Sequence, residues 1–315
     1  MKKILLASTM LAAFATVADA ETGVAISGYG RIGLQYLNDG TDSGTFVHTR
    51  LRFNIDATTE TDSGVKFGGR IRIQQSAGLD SYTYAYGNSN DTTISPAMLY
   101  VEYEGLRVEV GNVNTAFDSA ALIYDSELGL TDSSFGDSQS SFYSFSTGDY
   151  HNGRAGVYAS YSMSGFTGQI SYVDSEHYHT GVSSDAETSV ALAYTTDQFT
   201  VSAAAAQNGS GISGNDIWFI GGAYKLSDVA TVGLNYISEG SSANDSTTVV
   251  LYGNYKMDAV TVKGYIANND DPANADDIAI GIGADYDLGG AKLTGGIQRG
   301  YDDNTLVDVG VRFNF

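Results

Sequence analysis

The chain has 315 residues, a formal net charge of −21 and no cysteine. An acidic balance of this size excludes nucleic acid as a partner, because phosphate recognition needs a basic face, and a fold without cysteine rests on packing and hydrogen bonding alone. Two prolines against 38 glycines and 22 tyrosines suit uninterrupted sheet ladders with tight turns, not a helix-rich core.

Lys2 and Lys3 precede an apolar run from Ile4 to Val17, and Ala18-Asp19-Ala20 follows. This order predicts a secretory signal peptide over 1–20, cleaved before Glu21. The run is too short for a spanning helix, which takes about 20 apolar residues. Residues 21–315 read as one domain with no other stretch approaching a membrane helix. A membrane-embedded mature chain must then be a barrel, since only helices and closed sheets pair every backbone group in lipid.

From Gly23 onward, period-two segments succeed one another: 23–37, 45–59, 64–76, 94–103, 106–112, 154–162, 166–174, 188–195, 198–207, 216–225, 229–238, 247–256, 259–267, 277–286, 291–299 and 306–315. They amount to about sixteen strands, an even number. Short turns such as Thr61-Asp62-Ser63, Glu104-Gly105, Thr196-Asp197 and Met257-Asp258 alternate with long polar stretches such as 77–91, 175–187 and 268–276. A barrel with one trimmed and one elaborate rim is the all-β transmembrane architecture this predicts. Along the segments one face is greasy (Ile26, Ile32, Leu34; Val249, Leu251, Tyr255; Ile278, Ile280, Ile282) and the other polar (Tyr29, Arg31, Gln35; Asn254, Lys263, Asp285, Gln298). Lipid is expected outside and water inside, with Tyr36, Tyr103, Tyr161, Tyr172, Tyr194, Trp218 and Tyr224 as interfacial girdle residues.

One connection, about 113–153, exceeds the rest, and structureless insertions of that length are usually functional or disordered. It mixes Ala116, Phe117, Leu122, Ile123, Leu128 and Leu130 with Asp118, Asp125, Glu127, Asp132 and Asp137. The expected arrangement is a loop folded into the barrel, apolar patches on the wall and carboxylates toward the water path. Arg31, Arg50, Arg52, Lys66, Arg70, Arg72 and Arg107 crowd the first five strands at inward parity. On the lipid face near the midplane each would cost about 2–4 kcal/mol, so they should line the lumen. The predicted result is a basic wall facing an acidic loop; the alternative is a structural network with Glu102 and Glu109.

The closing run, Val307 to Phe315, alternates strictly and pairs with the first strand near Arg31, placing Arg312 inward. This ending, Asp308-Val309-Gly310-Val311-Arg312-Phe313-Asn314-Phe315, resembles that of the general diffusion porins of alphaproteobacterial outer membranes. So do Thr61-Asp62-Ser63-Gly64-Val65-Lys66-Phe67-Gly68, Arg107-Val108-Glu109-Val110-Gly111 and Tyr286-Asp287-Leu288-Gly289-Gly290. The resemblance implies a sixteen-stranded homotrimer in the outer membrane whose third external loop narrows each barrel. It also implies an assembly signal at Phe313 and Phe315 read by the barrel assembly machinery. Carried onto this chain, the constriction comprises Arg31, Arg50, Arg52, Arg70 and Arg72 opposite Asp118, Asp125, Glu127 and Asp132, with serines such as Ser119, Ser126 and Ser133 diluting the loop's acidity. In such trimers the second external loop leans on the neighbour, and the Tyr82, Tyr84 and Tyr86 stretch is either that contact or a surface loop.

Other motifs are weaker. Gly28-Tyr29-Gly30-Arg31-Ile32-Gly33 matches a dinucleotide fingerprint but sits inside an alternating strand, not between strand and helix; its small outward residues suit the approach of another subunit. His177 and His179 are either metal ligands or ordinary loop residues. The pairs Asp270-Asp271, Asp276-Asp277 and Asp302-Asp303 either bind calcium, or bridge lipopolysaccharide, or are solvated loop tips. No cofactor is implied. His48 has inward parity but lacks the companions of a hydrolase, so no enzyme is expected. The leading expectation is passive diffusion of small hydrophilic solutes and ions. A substrate-specific channel using Tyr29, Tyr100, Tyr158 and Tyr265, and an adhesin or plugged barrel, are the alternatives.

Overall fold

A computed structural model describes residues 22–39, 43–78, 91–145, 154–174, 184–241 and 244–315. The segment 1–20, the Tyr82 to Tyr86 stretch, His177, His179 and residues 146–153 of the long loop lie outside it. The strands are β1 Gly23–Asn38, β2 Ser43–Glu60, β3 Lys66–Ala77, β4 Asp91–Ile94, β5 Met98–Tyr103, β6 Leu106–Gly111, β7 Ala155–Met163, β8 Phe166–Asp174 and β9 Glu187–Thr195. They continue as β10 Phe199–Gln207, β11 Asp216–Ser227, β12 Ala230–Ser241, β13 Asn244–Met257, β14 Val260–Asn269, β15 Ile278–Asp287, β16 Ala291–Arg299 and β17 Thr305–Asn314.

Each strand pairs antiparallel with its neighbours, and β17 returns to β1 from Asn38↔Thr305 down to Tyr29↔Asn314. Two further bonds between Gly28 and Phe315, at 2.8 and 3.0 Å, zip the seam to the last residue. Every ladder therefore has a partner on both sides at the closure, as a hydrocarbon environment requires. β4 and β5 both lie along β3 and form one stave broken at Ser95-Pro96-Ala97, so the barrel has 16 staves. Sequence periodicity predicts one strand over 94–103; Pro96 has no N–H to give the ladder, and Ser95 repairs the gap, its N–H reaching Arg72 O at 2.8 Å and its Oγ accepting Arg72 N–H at 2.7 Å.

The outer face is greasy and open: Val24, Leu99, Trp218 and Leu226 are each more than 60% exposed. Outward aromatics form two belts. Tyr103, Tyr161, Phe166, Tyr194, Phe199, Tyr224, Tyr255 and Tyr286 ring the short-turn end; Tyr172, Trp218 and Tyr236, with half-buried Tyr36, mark the other.

The expectation of a polar lumen face all round fails between β8 and β15. There Ala191, Ala204, Ala206, Ile217, Phe219, Ile237, Val250, Ala267 and Ala279 point inward and are buried. Their cover is the long loop: Val113, Phe117, Leu122 and Ile123 pack on one apolar patch, and Leu128 with Phe135 on a second beside Tyr252 and Tyr265. The hydrophobic core of this molecule thus lies inside the barrel, between wall and loop. Ile217-Trp218-Phe219-Ile220 loses its alternation for that reason, lipid covering one face and the loop the other.

Glycines opposite large rings recur in the ladders. Gly68↔Tyr100, Gly233↔Tyr252 and Gly281↔Tyr265 on the inner face, and Gly30↔Phe313 on the outer, are direct cross-strand partners. In each pair a Cβ on the glycine would come within 2.4 Å of the facing ring. The rings occupy the space that a side chain at the glycine would take. This corrects the reading of Gly28 and Gly30 as a seat for another subunit, since Phe313 and Phe315 of the same chain already occupy that space. Phe315 also lies 5.3 Å from the Phe53 ring, centroid to centroid.

Candidate pore constriction

Register brings the arginines together. Arg312, Arg31 and Arg50 are consecutive cross-strand partners on β17, β1 and β2, and one inward step toward the short-turn end Tyr29 faces Arg52. Like charges directly opposed destabilise a sheet, so each guanidinium is held. Arg50 Nε donates to Ser76 Oγ at 3.2 Å and Arg52 Nε to Gln74 Oε1 at 2.7 Å. Arg72 Nε donates to Asn54 Oδ1 at 3.0 Å while its guanidinium lies 3.7 Å from the centre of the Phe145 ring. Arg31, two residues along β1, and Arg52, across on β2, each sit 5.1 Å from the centre of the Tyr29 ring.

Two members of the basic group are neutralised by carboxylates of the wall itself. Arg70 forks onto Asp56 at 2.7 and 3.2 Å. Arg107 bridges Glu102 at 3.0 Å and Glu109 at 2.6 Å above the Tyr100 ring, so here the structural network is the arrangement found. Arg52 and Arg72, by contrast, hydrogen-bond only to neutral partners among the described residues, with Asp118 acting on Arg72 from farther off.

The loop leaves β6 and runs along the inner wall. Its backbone has little regular structure, and wall side chains supply the missing partners. Ser171 and Ser189 accept the N–H of Ala116 and Phe117 at 2.9 and 3.1 Å, and Asn235 donates to Leu122 O at 2.7 Å. Near β17 and β1 the loop turns back. On the return Tyr265 accepts Phe135 N–H at 3.0 Å, Glu239 accepts Ser140 N–H at 2.7 Å and Glu187 accepts Tyr143 N–H at 2.7 Å. Ser126 and Ser138 bond Asp137 and Glu239, so these serines fasten the loop besides diluting its charge.

The loop carboxylates are not a uniform acidic face. Asp132 was expected opposite the arginines; instead it is docked on them, forked by Arg312 and 3.3 Å from Arg31. Burial opposes its charge, yet Arg312 and Arg31 prevail and hold the carboxyl below its usual range. Asp118 accepts the Tyr124 hydroxyl and is raised by burial. Asp125 and Glu127 carry no ion pair or side-chain hydrogen bond within the described residues and are half-buried at the water path. Burial pushes Asp125 up to about 6 against the pull of Lys263. Glu127 is raised by burial and by Asp137 and Asp132, against Arg31 and Arg312.

Sequence reading missed Glu187, Glu239 and Asp308, acids inside the wall that fasten the loop. Inward parity on otherwise apolar or small-residue strands was their available signal. The inward tyrosines Tyr158, Tyr252 and Tyr265 are buried under the loop. Asp270, Asp271 and Asp276 accept backbone N–H groups of Thr247, Ala273 and Ile278 at 2.5, 2.8 and 3.0 Å, and no group of three metal-ligating side chains occurs among the described residues.

An antiparallel barrel closed on itself, apolar outside, charged inside and narrowed by its own loop is a transmembrane channel of the outer-membrane kind. The profile of Gram-negative porins matches residues 7–305, and the chain belongs to that family. A porin from Fuscovulum blasticum is 43% identical over 301 residues, spanning 93% of this chain and 100% of its own length. Solved structures of engineered variants of Rh. blastica porin give TM-scores of 0.84 and 0.83 at 40% and 41% identity, each covering 93% of this chain and 100% of the other. The protein is a passive diffusion channel of the outer membrane, not an enzyme.

Proposed function

We propose that the ions and small hydrophilic solutes crossing this channel are sorted between a basic wall, Arg31, Arg50, Arg52, Arg72 and Arg312, and the loop carboxylates Asp125 and Glu127. The observation that carries this reading is the unequal neutralisation of the wall. Arg52 and Arg72 keep neutral partners while Arg70 is paired with Asp56. Interior positions of such barrels tune selectivity, and charges focused by low-dielectric walls act on whatever passes. A solute-specific track finds no support, because Tyr158 and Tyr265 lie under the loop, Tyr100 covers Gly68 and Tyr29 lies between arginines.

The mature chain begins at Glu21 and assembles as a homotrimer. β6 has six residues, against the 9–11 or so that a tilted strand needs to span a bilayer. This low sector of the wall suits another copy better than lipid. The remaining outward face takes outer-membrane lipid, lipopolysaccharide lies at the long-loop rim, and Phe313 and Phe315 present the assembly signal.

Recording in planar bilayers tests the whole reading. Conductance steps in threes that scale with bulk salt are expected. Block by one solute at low concentration would make the channel substrate-specific, and silence would make it a closed barrel.

A further inference from the structure

The tip of the loop is a closed turn: Leu128 and Ser133 exchange backbone hydrogen bonds at 3.1 and 3.3 Å, with Gly129 and Asp132 in the left-handed region. It sits across β17 and β1, the last and first staves. One wall carboxylate catches its backbone. Asp308, 3% exposed, accepts Leu130 N–H at 2.9 Å, Thr131 N–H at 3.2 Å and the Thr131 hydroxyl at 3.1 Å. Gly129 lies against the same carboxylate, where a Cβ would fall 2.4 Å from Oδ1. Leu130 drops into the space left by Gly33 and Gly310, which face one another in the ladder; a Cβ on either would meet it at 2.6 or 2.9 Å. Arg31 Nη1 donates to Thr131 O at 2.6 Å.

We propose that Asp308 is a positioning residue for ion selectivity. Hidden from the water path, it seats the tip with Leu130 so that Asp132 stays on Arg31 and Arg312 and cancels part of their charge. A carboxylate suits three converging donors because it offers only acceptors. When the tip lifts, Asp132 leaves with it, both guanidinium groups face the lumen, and the channel favours anions. The inference rests on the reading of these residues as the selectivity site, and the test separates the two.

Removing Asp308 also removes a charge, so Leu130→Ala, which changes none, is the decisive variant. Reversal potentials in a salt gradient are recorded for Asp308→Asn, Leu130→Ala, Asp132→Asn and the double variant Asp132→Asn with Leu130→Ala, each confirmed as folded barrel by its heat-modifiable gel mobility. Leu130→Ala is expected to move the potential toward anions, in the direction of Asp132→Asn, with noisier open-channel current. In the Asp132→Asn background it should add nothing. An unmoved potential in Leu130→Ala, or full additivity in the double variant, overturns the role of the seat. An unmoved potential in Asp132→Asn overturns the selectivity reading beneath it. Should Asp308→Asn fail to fold, the three remaining variants decide both questions.

Discussion

From β8 to β15 the lumen face of the wall is largely apolar or small and lies under the loop; on β2 and β3 it is basic and half-exposed, with β17 and β1 between the two under the loop's tip. The two sectors belong to one sheet with one lipid-facing exterior, yet their inward residues follow opposite rules. Cover decides the difference. Where the loop lies, an inward Ile237 or Phe219 gains burial, and polar side chains occur where a loop N–H or C=O needs a partner. Where water lies, charge is tolerated, and Arg50, Arg52, Arg70 and Arg72 are each propped by a cross-strand neighbour. The loop-bearing sector therefore governs how firmly the passage is shaped, and the basic sector what passes through it.

The contrast can be broken most strongly from the loop side. Phe117 is fully buried and stacks edge-on against Phe142 at 5.0 Å. Phe117→Ala should cost about 3–5 kcal/mol of loop attachment. Hydrogen exchange and limited proteolysis should report a loosened loop in a barrel that still migrates as folded. Equal protection in variant and parent would mean the loop is held by hydrogen bonds alone.

On the basic side, Arg52→Gln with Arg72→Gln should shift permeability toward cations. Two charges facing water are worth on the order of 1 kcal/mol, or roughly a fivefold change in permeability ratio. Arg70→Gln combined with Asp56→Asn, which removes the pair and leaves the net charge unchanged, should do far less; an equal shift would refute the distinction between paired and propped arginines. The smallest effect concerns pH. Asp125 is an acid whose carboxyl is raised to about 6 by burial, so it is charged above that value and neutral below. Cation preference should therefore fall as pH drops from 7 to 5, and Asp125→Asn should flatten that dependence as read from reversal potentials.

Much of this was legible in the chain. Strict alternation in Val307 to Phe315, the rhythm of short and long connections, and the mixed apolar and acidic content of 113–153 are local patterns, and a period of two fixes faces without knowledge of partners. Inward parity placed Arg31, Arg50, Arg52, Arg70 and Arg72 on the lumen side. What parity cannot supply is height or partner: Arg70 and Arg72 share a face, yet one meets Asp56 and the other Asn54 because of cross-strand register.

By itself the sequence determined a two-faced, self-closing barrel with an inward loop, because those properties follow from neighbours one and two residues apart. Only the tertiary structure decided that Asp132 joins the basic wall, that Phe313 covers Gly30, and that Asp308 holds Thr131 across 177 residues of chain. These contacts depend on where a loop without periodicity comes to rest, and its resting place is chosen by sockets and hydrogen-bond partners scattered over many staves.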